Sequence, residues 1–189
     1  KYSQIEHVER IDQIQHPIIR ETLRSLDTNE SLQIEITTLA DIPAGTGLGS
    51  SSSFTVALIQ ALHTYYQLIL LPDGWGLTPG FLANMACVIE IDRLKQPIGK
   101  QDQYSAVYGG ITGLTFTRAG FVQIETIPLS SDTRHLLHSN LLLFFTGTSR
   151  SAGTILTQQH TRLTQNDKEL IANLDRAKQC AYLTRDALM

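Results

Sequence analysis

An excess of positive charge is what this sequence most plainly lacks. Fifteen Lys and Arg stand against 18 Asp and Glu, a net charge of -3, so neither nucleic acid nor an anionic membrane is indicated as a partner. Cysteine is nearly absent as well. Cys87 and Cys180 are too few for a disulfide framework and lack the paired spacing of a zinc site, which makes a reducing, cytoplasmic setting the expectation. Long apolar runs are missing: the longest, at 68–71 and 141–145, fall far short of the ~18 residues that a membrane span requires. Charged residues make up 17% of the chain and hydrophobic ones 42%, the balance of a packed globular protein and not of a disordered one. A length of 189 residues suits one domain, or one domain with part of a second. The sequence opens on Lys1 within an alternating pattern that reads as a strand under way, and ends at Met189 within a helical pattern. It is therefore expected to be part of a longer chain.

Pattern and punctuation predict an α+β arrangement. Pro17 ahead of Ile18, Ile19 and Leu23 predicts a short helix over 17–25, because proline is tolerated in the first turn. Leu32, Ile34 and Ile36 alternate with Gln33, Glu35 and Thr37, which predicts a strand over 32–38. A helix over 51–67 carries Phe54, Leu58, Leu62 and Tyr65 on one face and Val56, Ala57 and Ile59 around the rest, so it is expected to be buried nearly all round. A second helix runs over 78–94, bounded by Pro97 and Gly99. Strands are expected at 113–116, 121–127 and 140–146, and the pattern after Gly147 is helical.

The sequence becomes specific at Ile42-Pro43-Ala44-Gly45-Thr46-Gly47-Leu48-Gly49-Ser50-Ser51-Ser52-Ser53. Three glycines in five residues let backbone amides face a ligand with no Cβ in the way. The long helix that follows offers unpaired N–H groups and a favourable dipole to an anion. Pro43, Gly45, Gly47, Leu48, Gly49, Ser50, Ser51 and Ser52 are thus candidate phosphate-binding residues, with a tight turn capped by serines as the plainer alternative. The loop lacks the Gly-Lys-Ser/Thr ending of a Walker A motif and the spacing of a dinucleotide fingerprint.

Phosphoryl transfer needs a cation on the phosphates and a group that orients or deprotonates the acceptor hydroxyl. Two carboxylates suit those tasks. Glu90 lies in an apolar run with Cys87, Val88, Ile89 and Ile91, where an ionised group is costly without a partner. Asp102 lies twelve positions on, in Gly99-Lys100-Gln101-Asp102-Gln103-Tyr104, read as a turn that presents a polar cluster. The plainer alternatives are a surface glutamate paired with Arg93 or Lys95, and a helix cap at Asp102. Asp92 competes with Glu90 for a metal but faces elsewhere on the helix. The six histidines are scattered and carry no metal-site pattern.

Pro43-x-x-x-Gly47-Leu48-Gly49-Ser50-Ser51 resembles the nucleotide-binding signature of the galactokinase, homoserine kinase, mevalonate kinase and phosphomevalonate kinase superfamily, the GHMP kinases. Ser53 stands where that family often has alanine. The resemblance implies that the loop wraps the triphosphate of ATP, that Ser51 and Glu90 bind Mg2+, and that Asp102 is the catalytic acid-base residue. Within the family, Gln15-His16-Pro17-Ile18-Ile19-Arg20-Glu21, the Gly99 to Tyr104 turn, and Phe145-Thr146-Gly147-Thr148-Ser149-Arg150-Ser151-Ala152 are similar to sugar kinases acting at the anomeric hydroxyl of D-glycero-D-manno-heptose 7-phosphate.

That resemblance implies an ATP-dependent small-molecule kinase whose partner is a sugar phosphate, with a homodimer among the expectations. Other sugars, isoprenoids or amino acids are the alternative acceptors, and a non-catalytic nucleotide-binding relative is a further one. Lys100, Gln103 and Arg150 are candidate substrate contacts, Arg150 through the sugar phosphate. A solvated strand-end arginine and a solvated loop lysine are the alternatives at Arg150 and Lys100. The expected fold is the ribosomal-protein-S5-like N-terminal kinase domain over 1–150, lacking its first strands, with 151–189 opening the helices of a C-terminal domain.

Overall fold

The computed structural model describes residues 5–26, 33–41, 46–70, 77–144 and 152–189. It divides into two compact units, Lys1–Val107 and Tyr108–Met189.

The first unit is helical. A 3-10 turn at Ile11–Gln13 leads to α1, Pro17–Ser25. Pro17 opens α1, and His16 caps it by accepting from the Ile19 amide at 3.4 Å. The long helix α2 is Ser50–Leu70, and α3 is Pro79–Cys87, with Pro79 in the first turn and Thr78 accepting from the Phe81 amide at 3.3 Å. Without a break, α3 continues as a π-helical segment, Val88–Arg93. There the Leu94 N–H reaches back to the Ile89 carbonyl at 3.0 Å, a wider turn than an α-helix makes. The short helix α4, Gln101–Tyr108, follows.

Two apolar clusters hold these helices on two sides of α2. Leu58 and Leu62 meet Leu23 of α1, with Ile34 and Ile36 packed alongside. Val56 and Ile59 meet Leu82, Ala86 and Ile89, with Ala106 and Val107 of α4 against them. Ala83 and Ala86 have no exposed surface, and their small side chains let α3 approach α2 closely. The third side of α2 is open. Ser53, Ala57, Gln60, Ala61 and Thr64 are all exposed, so this helix is buried on two sides and not nearly all round. The sequence pattern overstated burial because alanine scores as apolar and is equally at home on a surface. At the outer edge of α1, Glu21 receives Arg24 at 2.6 Å and Arg93 at 3.6 Å, while Arg24 also pairs with Asp12.

The second unit begins with an antiparallel hairpin, β1 at Thr112–Phe116 and β2 at Val122–Thr126, in the register Thr112 to Thr126 and Phe116 to Val122. Gly120 turns it at φ 85°. Three helices follow: α5 at Ser131–Ser139, α6 at Ala152–Thr164 and α7 at Lys168–Leu188. Asp167 caps α7 through the Leu170 amide at 3.1 Å and takes Arg162 at 2.8 Å. Those two partners hold its carboxyl below the usual range.

Helices with one small antiparallel sheet among the described residues give the expected α+β class, with five local corrections. Residues 33–38 carry no regular element, and although Ile34 and Ile36 do turn inward, the segment joins no ladder among the described residues. Alternation selects the buried face, whereas a strand also needs a neighbour with which to exchange hydrogen bonds. The same holds at 140–144, where Leu141, Leu142, Leu143 and Phe144 are 65 to 82% exposed and form no third strand. Residues 5–8 carry no strand either. Residues 101–108 form a helix where the sequence suggested a turn, and α5 was not anticipated. Residues 145–146, the rest of that third-strand expectation, lie outside the described residues.

Because Ile59 is wholly enclosed, Ile59→Ala is expected to cost about 2–5 kcal/mol in urea unfolding. Ala57→Gln, on the open side of α2, is expected to change stability by less than about 0.5 kcal/mol. Equal losses from the two variants would contradict the two-sided burial of α2.

Candidate active site

The site grows from three helix ends in the first unit. The loop before α2 is described from Thr46 onward, and its Pro43 and Gly45 lie outside the described residues. Gly47 and Gly49 adopt φ 76° and 68°, the left-handed region that disfavours side chains with a Cβ. Leu48 between them is 48% exposed. The Ser53 amide then donates to the Gly49 carbonyl at 3.0 Å, which starts the helical ladder. Amides ahead of that bond have no intrahelical acceptor, so the mouth of α2 is suited to an anion. Ser52 turns inward and is 2% exposed, whereas Ser51 and Ser53 face outward.

Glu90 comes from the π-helical segment and is 1% exposed. It is therefore not a surface glutamate paired with Arg93 or Lys95. Arg93 is directed to Glu21 instead. The Ser51 hydroxyl donates to Glu90 Oε1 at 2.5 Å, and the Gln103 amide Nε2 donates to Oε2 at 2.6 Å. Both bonds are short, as hydrogen bonds to a carboxylate are. Cys87, one turn earlier, is also buried, and burial pushes its thiol up to about 11, with Glu90 and Asp92 adding to the effect and Lys100 opposing it.

Asp102 stands in the first turn of α4, exposed, and lies against the loop. A methyl group placed on Gly49 would be 3.3 Å from Asp102 Cγ and 3.5 Å from its Oδ2. The structure thus brings Gly49, Ser51, Glu90, Asp102 and Gln103 into one neighbourhood. Gln103 is fully buried beneath it. Arg150 lies outside the described residues, and Asp92 is exposed where Glu90 is buried. Sequence reasoning found both carboxylates and the loop but not the Gln103 to Glu90 bond. An uncharged residue beside an acid carries no pattern signal for burial.

Among the described residues, no three His, Cys, Asp or Glu side chains gather as a metal site. The oxygen donors present are the Ser51 hydroxyl and the Glu90 carboxylate. That hard, sparse set suits a magnesium ion that completes its shell with water and phosphate oxygens.

Residues 16–110 match the model of the GHMP kinases N terminal domain. The chain belongs to the GHMP kinases. Its family domain ends within a few residues of the first compact unit, which closes at Val107. Among GHMP kinases, the D-glycero-alpha-D-manno-heptose 7-phosphate kinase of Campylobacter jejuni is 29% identical over 161 residues, 85% of this chain and 45% of that protein. The bifunctional fucokinase/GDP-fucose pyrophosphorylase of Arabidopsis thaliana is also 29% identical, over 85% of this chain and 15% of its own length. The galactokinase of Pyrococcus furiosus is 28% identical over 69% of this chain and 34% of its own. The chain thus spans less than half the length of each of these relatives.

Gly47→Ala and Gly49→Ala should each carry the backbone penalty of a left-handed residue, about 1–2 kcal/mol. Gly49→Ala should cost more, since only there does the new methyl meet Asp102, and urea unfolding of both variants measures the difference. Alkylation at pH 7.5 should modify exposed Cys180 and spare Cys87 until the chain unfolds, because thiolate is the reacting form. Mass spectrometry of the labelled peptides reads this directly, and rapid labelling of Cys87 in folded protein would contradict its burial.

Proposed function

We propose that the protein transfers the γ-phosphoryl group of ATP to the anomeric hydroxyl of a sugar phosphate. The preferred acceptor is D-glycero-D-manno-heptose 7-phosphate, giving the 1,7-bisphosphate. The convergence of Ser51, Glu90 and Asp102 beside the loop carries this reading. The C. jejuni relative, named for that heptose phosphate, supports the choice of acceptor.

In the proposed reaction the amides of residues 45–53 and the mouth of α2 receive the polyphosphate. Ser51 and Glu90 would hold Mg2+. Bound there, the ion would neutralise charge on the phosphate oxygens. Asp102 orients the acceptor hydroxyl and takes its proton as the anomeric oxygen bonds to the γ-phosphorus. The bond from that phosphorus to the bridging oxygen breaks, and ADP leaves. Lys100 supplies positive charge near the transferring group, and Arg150 grips the 7-phosphate of the sugar. The helices after about residue 150 belong to a C-terminal domain in this reading, with the first 150 residues forming the N-terminal one. No helix among the described residues is long and apolar enough to cross a membrane.

A second reading keeps the chemistry and changes the sugar. The fucokinase and galactokinase relatives match at nearly the same identity as the heptose phosphate kinase. A panel of heptose 7-phosphate, fucose and galactose with ATP decides between the readings by kcat/KM. For the favoured acceptor, Asp102→Ala in the full-length protein is expected to lower kcat by on the order of 100- to 10,000-fold. Unchanged turnover in that variant would remove Asp102 from the reaction. A smaller loss with intact binding would indicate orientation of the hydroxyl without proton removal.

A further inference from the structure

We infer that Gln103 is a positioning residue for Glu90 and does not meet the acceptor itself. It sets the metal-binding carboxylate and the acceptor-orienting Asp102 in one frame. This inference rests on the reading of Glu90 as a magnesium ligand.

Gln103 has no exposed surface, so its side chain cannot reach a substrate in the cleft. Its Nε2 donates to Glu90 Oε2 at 2.6 Å, while its Oε1 is buried with no hydrogen-bond partner among the described residues. This arrangement is informative because an unpaired buried carbonyl oxygen is costly. Rotating the amide to seek another partner would turn Oε1 toward a carboxylate oxygen, acceptor against acceptor. The Glu90 bond therefore fixes which way the amide lies.

Both oxygens of Glu90 are thereby held, Oε1 from the mouth of α2 and Oε2 from α4. Ser51, the partner of Oε1, is exposed, whereas Gln103, the partner of Oε2, is buried, so Gln103 aims Oε1 and its lone pairs toward the loop. Outer partners of this kind orient metal ligands and commonly matter about 10- to 100-fold for affinity. Asp102 precedes Gln103 directly, in the same first turn. The buried amide thus anchors the backbone that carries Asp102 against Gly49.

The test is Mn2+ binding to the full-length protein with a non-hydrolysable ATP analogue, followed by the loss of the free-ion signal in electron paramagnetic resonance. Gln103→Met keeps length and removes the donor, and Gln103→Asn keeps the amide but withdraws it from Glu90. Each is expected to weaken Mn2+ binding by about tenfold or more, with nucleotide binding in EDTA unchanged. The Mg2+ concentration for half-maximal activity should rise in parallel. Wild-type Mn2+ affinity in a folded Gln103 variant would overturn the inference, and the Asn variant serves if the Met variant does not fold. Glu90→Gln separates the two levels. If it abolishes Mn2+ binding while the Gln103 variants do not, only the positioning role fails. If it too binds Mn2+ normally, the reading of Glu90 as a ligand fails.

Discussion

The arrangement of the first unit depends on the burial of one carboxylate. At 1% exposure Glu90 has given up nearly all of its water, which costs several kcal/mol unless polar partners replace it. The partners are Ser51, from the first turn of α2, and Gln103, from the first turn of α4. Neither can supply its bond unless its helix begins where it does. Apolar packing presses the bodies of α2 and α3 together, but it carries no directional bond at the helix ends. The two hydrogen bonds are directional, and they fix where the helix ends stand.

The same carboxylate explains the irregular turn in which it lies. Widening to the π-helical form over Val88–Arg93 adds a residue to the turn and changes the directions of side chains on either side of it. Ile89 can then enter the apolar cluster with Val56 and Ile59, while its neighbour Glu90 faces the loop. Thr55, one turn into α2, donates back to the Ser51 carbonyl at 3.0 Å, so the residue that donates to Glu90 is itself held. Core and site are therefore carried on adjacent residues of the same helices, and neither can shift without the other.

What was legible in the sequence was what a local rule encodes. Pro17 after His16 and Pro79 after Thr78 mark helix starts by their backbone chemistry alone, and both helices begin there. Glycines disclosed the loop and the hairpin turn, because φ 68° at Gly49 and 85° at Gly120 are positions other residues avoid. Residues 33–38 show the limit of periodicity, since the alternating pattern placed Ile34 and Ile36 inward without supplying a strand partner. Helix α5 was hidden for another reason: its signal is Ser130 accepting from the Thr133 amide at 3.0 Å, and a single serine before a polar run resembles a loop. Glu90 and Asp102 were found by the chemistry they could perform. Gln103 was legible only as their neighbour, because its burial is a property of the packed helices and not of its own segment.

The contact between Gly49 and Asp102 joins the two halves of the proposed chemistry. A residue with a Cβ at position 49 would press on the carboxyl at 3.3 Å, so glycine there meets a steric need besides that of its backbone angle. The loop proposed to receive phosphates and the group proposed to orient the acceptor consequently touch, with no room for a third layer between them. For transfer between two bound molecules this closeness is what lowers the barrier, since reacting atoms held near 3–3.5 Å avoid most of the entropy cost of a bimolecular encounter. Lengthening either segment would separate the cradle from the aspartate even with every side chain intact. The constraint on this site is thus one of backbone approach, which is why its most demanding residue is the one without a side chain.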